Sequence, residues 1–163
     1  MIRDVTTDDV AAICEIYNHY ITNTVVTFEE IPVTTEQMQT RIASVTESYP
    51  WIVFIDNEQV SGYAYVGKFH QRTAYRHTLE CTIYLHPEAA GRGIGKKLFA
   101  ELLERVQQLP TPIHSVIGCI ALPNEPSVAL HEKFGFKKVG HLTEAGYKMD
   151  RWIDVGYWQL LLA

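Results

Sequence analysis

The fold is decided by the stretch TIYLHPEAAGRGIGKK, which spans residues 82–97. Its first four residues have the β-branched and apolar character of a strand, and a helical pattern begins at Gly93. Glycines let a backbone approach a phosphate closely, and the free N–H groups and dipole of a helix start attract negative charge. The glycines are Gly91, Gly93 and Gly95, and the basic residues are Arg92, Lys96 and Lys97. The stretch therefore predicts a phosphate-binding turn, with an ordinary strand-to-helix turn as the alternative.

Outward from this turn, apolar patterns predict further strands and helices. The predicted strands are residues 2–5, 51–55, 60–66, 79–85, 113–120 and 154–162. The predicted helices are residues 10–21, 35–48, 93 to a point before Pro110, and 124–134. This order indicates one α/β domain over residues 1–163, with a mixed sheet.

The composition favours small-molecule chemistry. The net charge of −5 argues against a nucleic-acid partner, because phosphate backbones need a basic surface. No apolar run is long enough to cross a membrane, and the charged N-terminus does not resemble a signal peptide, so we expect a cytoplasmic protein. Cys14, Cys81 and Cys119 are far apart, which predicts mostly buried thiols rather than disulfides, and the histidines show no metal-ligand spacing.

The glycine turn resembles that of the GNAT acetyltransferases, whose pattern is [R/Q]-x-x-G-x-[G/A]. Gly93 and Gly95 match this pattern, and Ala90 stands where Arg or Gln is usual. The resemblance implies acetyl-CoA as co-substrate, with its pyrophosphate on the turn and its pantetheine arm on the preceding strand. The implied acetyl-CoA contacts are Ile83, Tyr84, Leu85, Gly91, Arg92, Gly93, Ile94, Gly95, Lys96, Asn124 and Ser127.

Nearly the whole chain is similar to the phosphinothricin N-acetyltransferases and the related enzymes that act on methionine sulfoximine and sulfone. The residues that carry this similarity include 17–21, 27–28, 49–51, 62–65, 122–127, 131–132 and 154–160. It implies a single GNAT domain with a mixed, mostly antiparallel seven-stranded sheet flanked by about four helices. It also implies direct acetyl transfer to the amino group of a small L-amino-acid-like substrate, without a metal, in a homodimer.

Glu80 is the candidate general base. An amine attacks a thioester only after it has lost its proton, so the reaction needs a base or a water chain. Glu80 lies in the strand just before the turn, and the resemblance places the catalytic carboxylate there. A solvent-facing charge is the alternative reading. Successive strand residues point to opposite faces, so we expect Cys81 to lie outside the site of Glu80.

His131 is the candidate general acid, because it replaces the tyrosine that many GNAT enzymes use to protonate the CoA thiolate. A packed or surface histidine is the alternative. For the acceptor, the resemblance points to Phe28, Arg72 and Tyr75, since an arginine suits a carboxylate or phosphinate and aromatic rings can hold a small side chain. The alternative is that Phe28 is a core residue and that Arg72 is a solvated charge in a loop.

Two other functions stay open from the residues alone. A peptide or protein N-acetyltransferase would use the same co-substrate with a different acceptor. A non-catalytic CoA-binding sensor would bind CoA but release no thiol with any amine.

Overall fold

The computed structural model describes residues 1–162, so the last residue of the predicted domain lies outside the description. The seven strands are β1 (Ile2–Asp4), β2 (Trp51–Asp56), β3 (Gln59–Lys68), β4 (Thr78–Leu85), β5 (Ser115–Leu122), β6 (Lys137–Lys148) and β7 (Arg151–Leu161). The four α-helices are α1 (Val10–Asn23), α2 (Thr35–Thr46), α3 (Ile94–Gln107) and α4 (Glu125–Lys133).

The strands form one sheet in the order β1-β2-β3-β4-β5-β7-β6. Only the β4–β5 pair is parallel, and all the other neighbours are antiparallel. The mixed, mostly antiparallel seven-stranded sheet with four helices is therefore confirmed.

The core has two layers, one on each face of the sheet. On one face α3 buries Leu98, Phe99 and Leu102, which are fully buried where this helix packs against β2, β3 and β4. On the other face α1 and α2 cover a cluster that includes Ile13 and Tyr63. Each helix buries one stripe of its surface, as an amphipathic pattern predicts.

The parallel pair β4–β5 is short. Its registered partners are Thr78–Ser115, Leu79–Val116 and Glu80–Ile117, although β4 continues to Leu85 and β5 to Leu122. Beyond Glu80 the two central strands no longer pair. The facing edges of both strands there carry backbone groups without a strand partner, so the sheet opens at its centre.

Local sequence signals account for most helix boundaries. The Thr34 hydroxyl accepts a hydrogen bond from the Gln37 N–H at 3.1 Å, and the Gln37 side chain accepts one from the Thr34 N–H at 2.9 Å, which completes the predicted capping box. This helix ends at Thr46, two residues before the predicted end. The predicted i,i+4 pair also forms, with Arg105 Nε 2.8 Å from Glu101 Oε1.

The main difference from the pattern-based prediction is β6, which the apolar pattern missed. Most of its residues are exposed, because β6 is an edge strand of the sheet, and its pairing with β7 shifts register twice. A strand without a buried face lacks the alternation that a pattern detects. No helix among residues 1–162 is long and apolar enough to cross a membrane.

Candidate functional site

The glycine turn presents an open stretch of backbone. Gly91 and Gly93 have φ angles of 79° and 76°, in the left-handed region that other residues adopt only with strain. A Cβ atom built on either glycine would have no neighbour within 4 Å. Empty space therefore lies directly over the backbone of the turn.

The start of α3 faces this space with free donors. Gly93 is the N-cap residue, and no side chain caps the helix. The Lys97 N–H bonds the Gly93 carbonyl at 3.3 Å, so the N–H groups before it have no intrahelical acceptor. An anion at this position would meet several donors and the positive end of the helix dipole.

The basic residues of the turn differ in their surroundings. The Arg92 guanidinium donates to Asp56 Oδ2 at 2.5 Å, which draws it towards the end of β2. Lys96 is exposed, and the Lys97 ammonium lies 5.9 Å from the centre of the Phe54 ring. All three residues are exposed, so their charges lie at the surface of the turn.

The strand before the turn offers its backbone rather than its side chains. Ile83 and Leu85 pack into the α3 core, and a Cβ on Gly95 would lie 3.6 Å from Leu85 Cδ1. Tyr84 points to the opposite face, where its ring lies 5.3 Å from that of Tyr17. The edge of β4 that faces the central opening is therefore available to an extended ligand.

Asn124 and Ser127 form the start of α4, on the other side of the opening. The Asn124 side chain accepts a hydrogen bond from the Ser127 N–H at 3.3 Å, as its position before Pro126 predicts. The Ser127 carbonyl in turn accepts from His131 Nδ1 at 2.7 Å.

His131 is buried, with 4% of its surface exposed. Its ring packs edge-on against Phe99, and its Nε2 lies 3.8 Å from the Cys81 Sγ. Because Nδ1 donates to a carbonyl, Nε2 of the neutral ring carries a lone pair. Burial lowers the pKa of His131, partly offset by its bond to Ser127, so the ring must gain a proton before Nε2 can donate one.

Gly118 of β5 makes room for this imidazole. A Cβ at that position would lie 2.5 Å from both Cδ2 and Nε2 of His131. The ring therefore lies directly on the β5 backbone, beside the central opening.

Glu80 lies on the opposite face from Cys81 and His131, as strand alternation predicts. It is half-buried, and no hydrogen bond or ion pair among residues 1–162 holds its carboxylate. Burial raises the pKa of Glu80, and the nearby His70 opposes this shift. A half-buried carboxylate with a free lone pair and a raised pKa is suited to accept a proton.

Phe28 belongs to the segment between α1 and α2. Its ring lies on Gly146 of β6, where a Cβ would come within 2.4 Å of Phe28 Cζ. Phe28 is 42% exposed, so it is not a core residue.

The segment around Phe28 is held firmly. Asn18 bonds both backbone groups of Val33, at 2.9 Å and 2.8 Å. The Arg41 guanidinium donates to both carboxylate oxygens of Glu29, at 2.8 Å and 2.6 Å. The buried Lys148 ammonium donates to the Thr27 carbonyl at 2.8 Å.

Arg72 and Tyr75 lie in the connection between β3 and β4, and both are exposed. The Tyr75 ring packs edge-on against His70 at 5.1 Å and against Phe69 at 5.8 Å. The register pairs Gly67 of β3 with Glu80, so Phe69 and His70 follow β3 directly after the residues beside Glu80. Phe28 packs on β6 instead, so the predicted acceptor residues come from two separate parts of the fold.

Two residues near Glu80 were missed by the sequence reasoning, Cys119 of β5 and Tyr157 of β7. They are registered partners on neighbouring strands, and the charge of Glu80 contributes to the raised pKa of both. Cys119 is exposed, which corrects its expected burial, whereas Cys14 and Cys81 are buried. The strand order that brings β5 beside both β4 and β7 is not visible in the local pattern.

No group of three or more His, Cys, Asp or Glu side chains within the described part of the chain could hold a metal ion.

Comparison with protein families gives a match over residues 2–156 to the acetyltransferase (GNAT) domain. A phosphinothricin N-acetyltransferase of Streptomyces viridochromogenes is 39% identical over 158 residues, which is 97% of this chain and 85% of the relative. An L-methionine sulfoximine/L-methionine sulfone acetyltransferase of Salmonella typhimurium is 32% identical over 155 residues, which is 94% of this chain and 90% of the relative.

Among solved structures, a GNAT superfamily phosphinothricin acetyltransferase from Sinorhizobium meliloti in complex with acetyl-CoA superimposes with a TM-score of 0.96. It is 39% identical, and the match covers 100% of this chain and 88% of that one. The similarity thus extends over the turn, the central opening and the surfaces around Glu80.

Proposed function

Because this chain belongs to the GNAT acetyltransferase family, we propose that it acetylates the amino group of a small L-amino-acid-like acceptor. The chain is an acetyl-CoA-dependent N-acetyltransferase, and the acceptor is of the phosphinothricin, methionine sulfoximine or methionine sulfone type. One observation carries the proposal. Glu80, the free half-buried carboxylate, stands at the last paired position before the opening that leads to the glycine turn.

The residues present are compatible with acetyl-CoA. The turn leaves open space over Gly91 and Gly93 and unpaired N–H groups at the start of α3, as a pyrophosphate requires. The unpaired edge of β4 can bind an extended amide-containing arm by main-chain hydrogen bonds. Backbone donors would make most of these contacts, so Ala90 in place of Arg or Gln would remove one side-chain contact and leave the cradle intact.

Bound acetyl-CoA supplies the thioester carbonyl that the acceptor amine attacks. Glu80 takes a proton from the ammonium form of the acceptor, directly or through water. Its raised pKa makes it a stronger base than an ordinary glutamate. Free backbone N–H groups at the opening can stabilise the negative charge that develops on the carbonyl oxygen.

His131 lies beside the opening on the other face and is proposed to protonate the leaving thiolate. Asn124 and Ser127 hold the first turn of α4, and the Ser127 carbonyl orients the imidazole. This arrangement fixes the direction in which Nε2 points.

For the acceptor, Arg72 is proposed to bind the carboxylate or phosphinate, with Tyr75 and Phe28 as aromatic walls. Arg72 is exposed at the β3–β4 connection, where it can reach an incoming anion. Phe28 is exposed on a segment fixed by Asn18, Arg41 and Lys148, so it can form a wall without further ordering.

The first experiment measures CoA release with a panel of acceptors. The panel contains L-phosphinothricin, L-methionine sulfoximine, L-methionine sulfone, ordinary amino acids and short peptides. Turnover with the first three compounds is expected to exceed that with peptides. Preferential turnover of peptides would establish the rival acceptor, and thermal stabilisation by CoA without thiol release from any amine would establish a sensor.

The second experiment tests the base. Glu80→Gln is expected to lower kcat by about 10²–10⁴-fold, because a positioned base contributes that much. Glu104→Gln, an exposed glutamate of α3, is the matched control and should keep wild-type turnover. If Glu80→Gln retains the wild-type rate across the pH range, Glu80 is not the base.

We also propose a cytoplasmic homodimer. The β6–β7 ribbon exposes Tyr147, Met149 and Trp152, which are 53%, 47% and 62% accessible, and the Tyr147 and Trp152 rings lie 4.8 Å apart. Exposed apolar groups of this kind favour an interface with a second copy. Light scattering should give twice the chain mass, and Trp152→Glu should give the monomer. The three free thiols are compatible with a reducing compartment.

A further inference from the structure

Cys119 has an unusual position for an exposed residue. It lies in β5, a central strand, and it is the one exposed residue between Ser115 and Leu122. Its same-face neighbours Ile117 and Ala121 are 7% and 8% accessible. An exposed side chain in the middle of a central strand marks a place where no helix covers the sheet.

The strand register places this uncovered surface next to Glu80. The β4–β5 pairing ends at Glu80–Ile117, so Cys119 is the next residue of β5 on the Glu80 face, beside the central opening. On its other side Cys119 is the registered partner of Tyr157 in β7. Registered partners share one face of a sheet, so Glu80, Cys119 and Tyr157 follow one another across the same surface.

The charges of these groups are coupled through the same space. Burial is the largest cause of the raised pKa of Cys119, and the charge of Glu80 is the second. For Tyr157 the largest cause is Cys119, followed by burial, and Glu80 also contributes. Cys119 therefore stays a thiol and Tyr157 a phenol near neutral pH. A neutral thiol is a poor nucleophile, which agrees with direct attack by the amine, and a phenol is a hydrogen-bond donor at every working pH.

From this placement, and resting on the function proposed above, we propose that Cys119 and Tyr157 form the acceptor-side-chain subsite of the pocket. The amino group of the acceptor faces Glu80, and its side chain extends over Cys119 towards Tyr157. The Tyr157 hydroxyl donates a hydrogen bond to an oxygen atom on that side chain. The subsite thus selects acceptors whose side chains end in a hydrogen-bond-accepting oxygen, as a sulfone, sulfoximine or phosphinate does.

Alkylation of Cys119 by iodoacetamide tests this placement directly, because Cys14 and Cys81 are buried. The modified peptide is quantified by mass spectrometry in the native protein, alone, with CoA, with L-methionine sulfone and with L-phosphinothricin. Turnover of both acceptors is measured in parallel. We expect an acceptor that turns over to slow the labelling of Cys119 at least fivefold at saturation, and the labelled protein to lose acceptor turnover but still bind CoA in calorimetry.

The phenol is tested by Tyr157→Phe, which removes one hydroxyl. The expected result is a roughly three- to tenfold rise in the KM for the oxygen-bearing acceptor, the usual effect of one hydrogen bond, with kcat and the KM for acetyl-CoA within twofold. Tyr49→Phe, which removes a hydroxyl outside the pocket, should leave all three constants unchanged. A substitution that merely loosened the fold would alter kcat and the KM for acetyl-CoA as well.

The outcomes separate the subsite from the proposed function. If an acceptor turns over but leaves the labelling rate of Cys119 unchanged, or if Tyr157→Phe keeps its KM, the subsite assignment is wrong and the function stands. If no amine of the panel releases CoA, the proposed function fails, and with it the subsite.

Discussion

Gly93→Ala tests the glycine turn in two ways, by its effect on the stability of the fold and by its effect on CoA binding. Gly93 has a φ of 76°, and an alanine there would cost about 1–2 kcal/mol of left-handed strain. For a chain of this length each kcal/mol shifts Tm by about 2–4 °C, so Tm should fall by roughly 2–8 °C. The added methyl meets no protein atom within 4 Å, which excludes a steric clash in the free protein.

The loss of CoA binding free energy should be larger than the strain energy. The methyl would occupy the open space over the turn and prevent one close charge-assisted hydrogen bond, which is worth about 1.5–3 kcal/mol. The dissociation constant for CoA should rise about 10- to 150-fold in isothermal titration calorimetry, since 1.4 kcal/mol is a factor of about ten.

Gly135→Ala is the matched control for Gly93→Ala. Gly135 follows α4 with a φ of 92°, and a Cβ there would meet Leu160 only at an ordinary 3.5 Å. This substitution should also lower Tm, but it should leave CoA affinity within twofold. If Gly93→Ala binds CoA as tightly as the wild type, the turn is not the pyrophosphate site. If both variants lose affinity equally, the loss reflects strain alone.

Three further predictions concern the two faces of the site. Glu80→Gln should keep or raise Tm at pH 7. Folding raises the pKa of the Glu80 carboxyl, so ionisation of this carboxyl destabilises the folded state relative to the unfolded state. The difference in Tm should vanish below about pH 4, where the carboxyl is protonated in the unfolded state too. Thermal melts at both pH values, set against the loss of kcat, check this, and a large drop in Tm at pH 7 would contradict it. Gly146→Ala places a methyl 2.4 Å from Phe28 Cζ, so it should displace that ring. The KM for the acceptor should rise severalfold while CoA affinity stays constant. An unchanged KM for the acceptor would show that Phe28 is not part of the acceptor site. His131→Gln should slow turnover most on the acidic side, because the imidazole donates only below its lowered pKa; a uniform loss from pH 5.5 to 9 would mean that the ring acts by packing.

Features that depend on a few neighbouring residues could be predicted from the sequence. The glycine turn, the Thr34–Gln37 capping box and the Asn124 cap each rest on backbone groups within three or four residues, and the structure has all of them. The opposite faces of Glu80 and Cys81 followed from strand alternation alone.

Features that depend on strand order could not be predicted in this way. The edge strand β6 has no buried face, so its residues lack a periodic apolar pattern. The pairing of β5 with β7 brings Tyr157 beside Cys119, although 38 positions separate them in the numbering of the chain. Because residues distant in sequence meet only through the sheet topology, the proximity of Cys119 and Tyr157 had no local signal.

Glu80 and His131 lie on opposite faces of the sheet, and this separation prevents them from forming an ion pair. An adjacent carboxylate and imidazolium would form an ion pair, which would lower the pKa of the glutamate and raise that of the histidine. Here burial shifts both pKa values the other way, and the sheet lies between the groups. The raised pKa of Glu80 suits its proposed role as a base, whereas the lowered pKa of His131 keeps the imidazole neutral near neutral pH, with Nδ1–H bound to the Ser127 carbonyl. The opening between β4 and β5 joins the two faces. In the proposed reaction Glu80 takes the proton of the amine on one face. On the other face His131 must first gain a proton of its own, which Nε2 then gives to the thiolate.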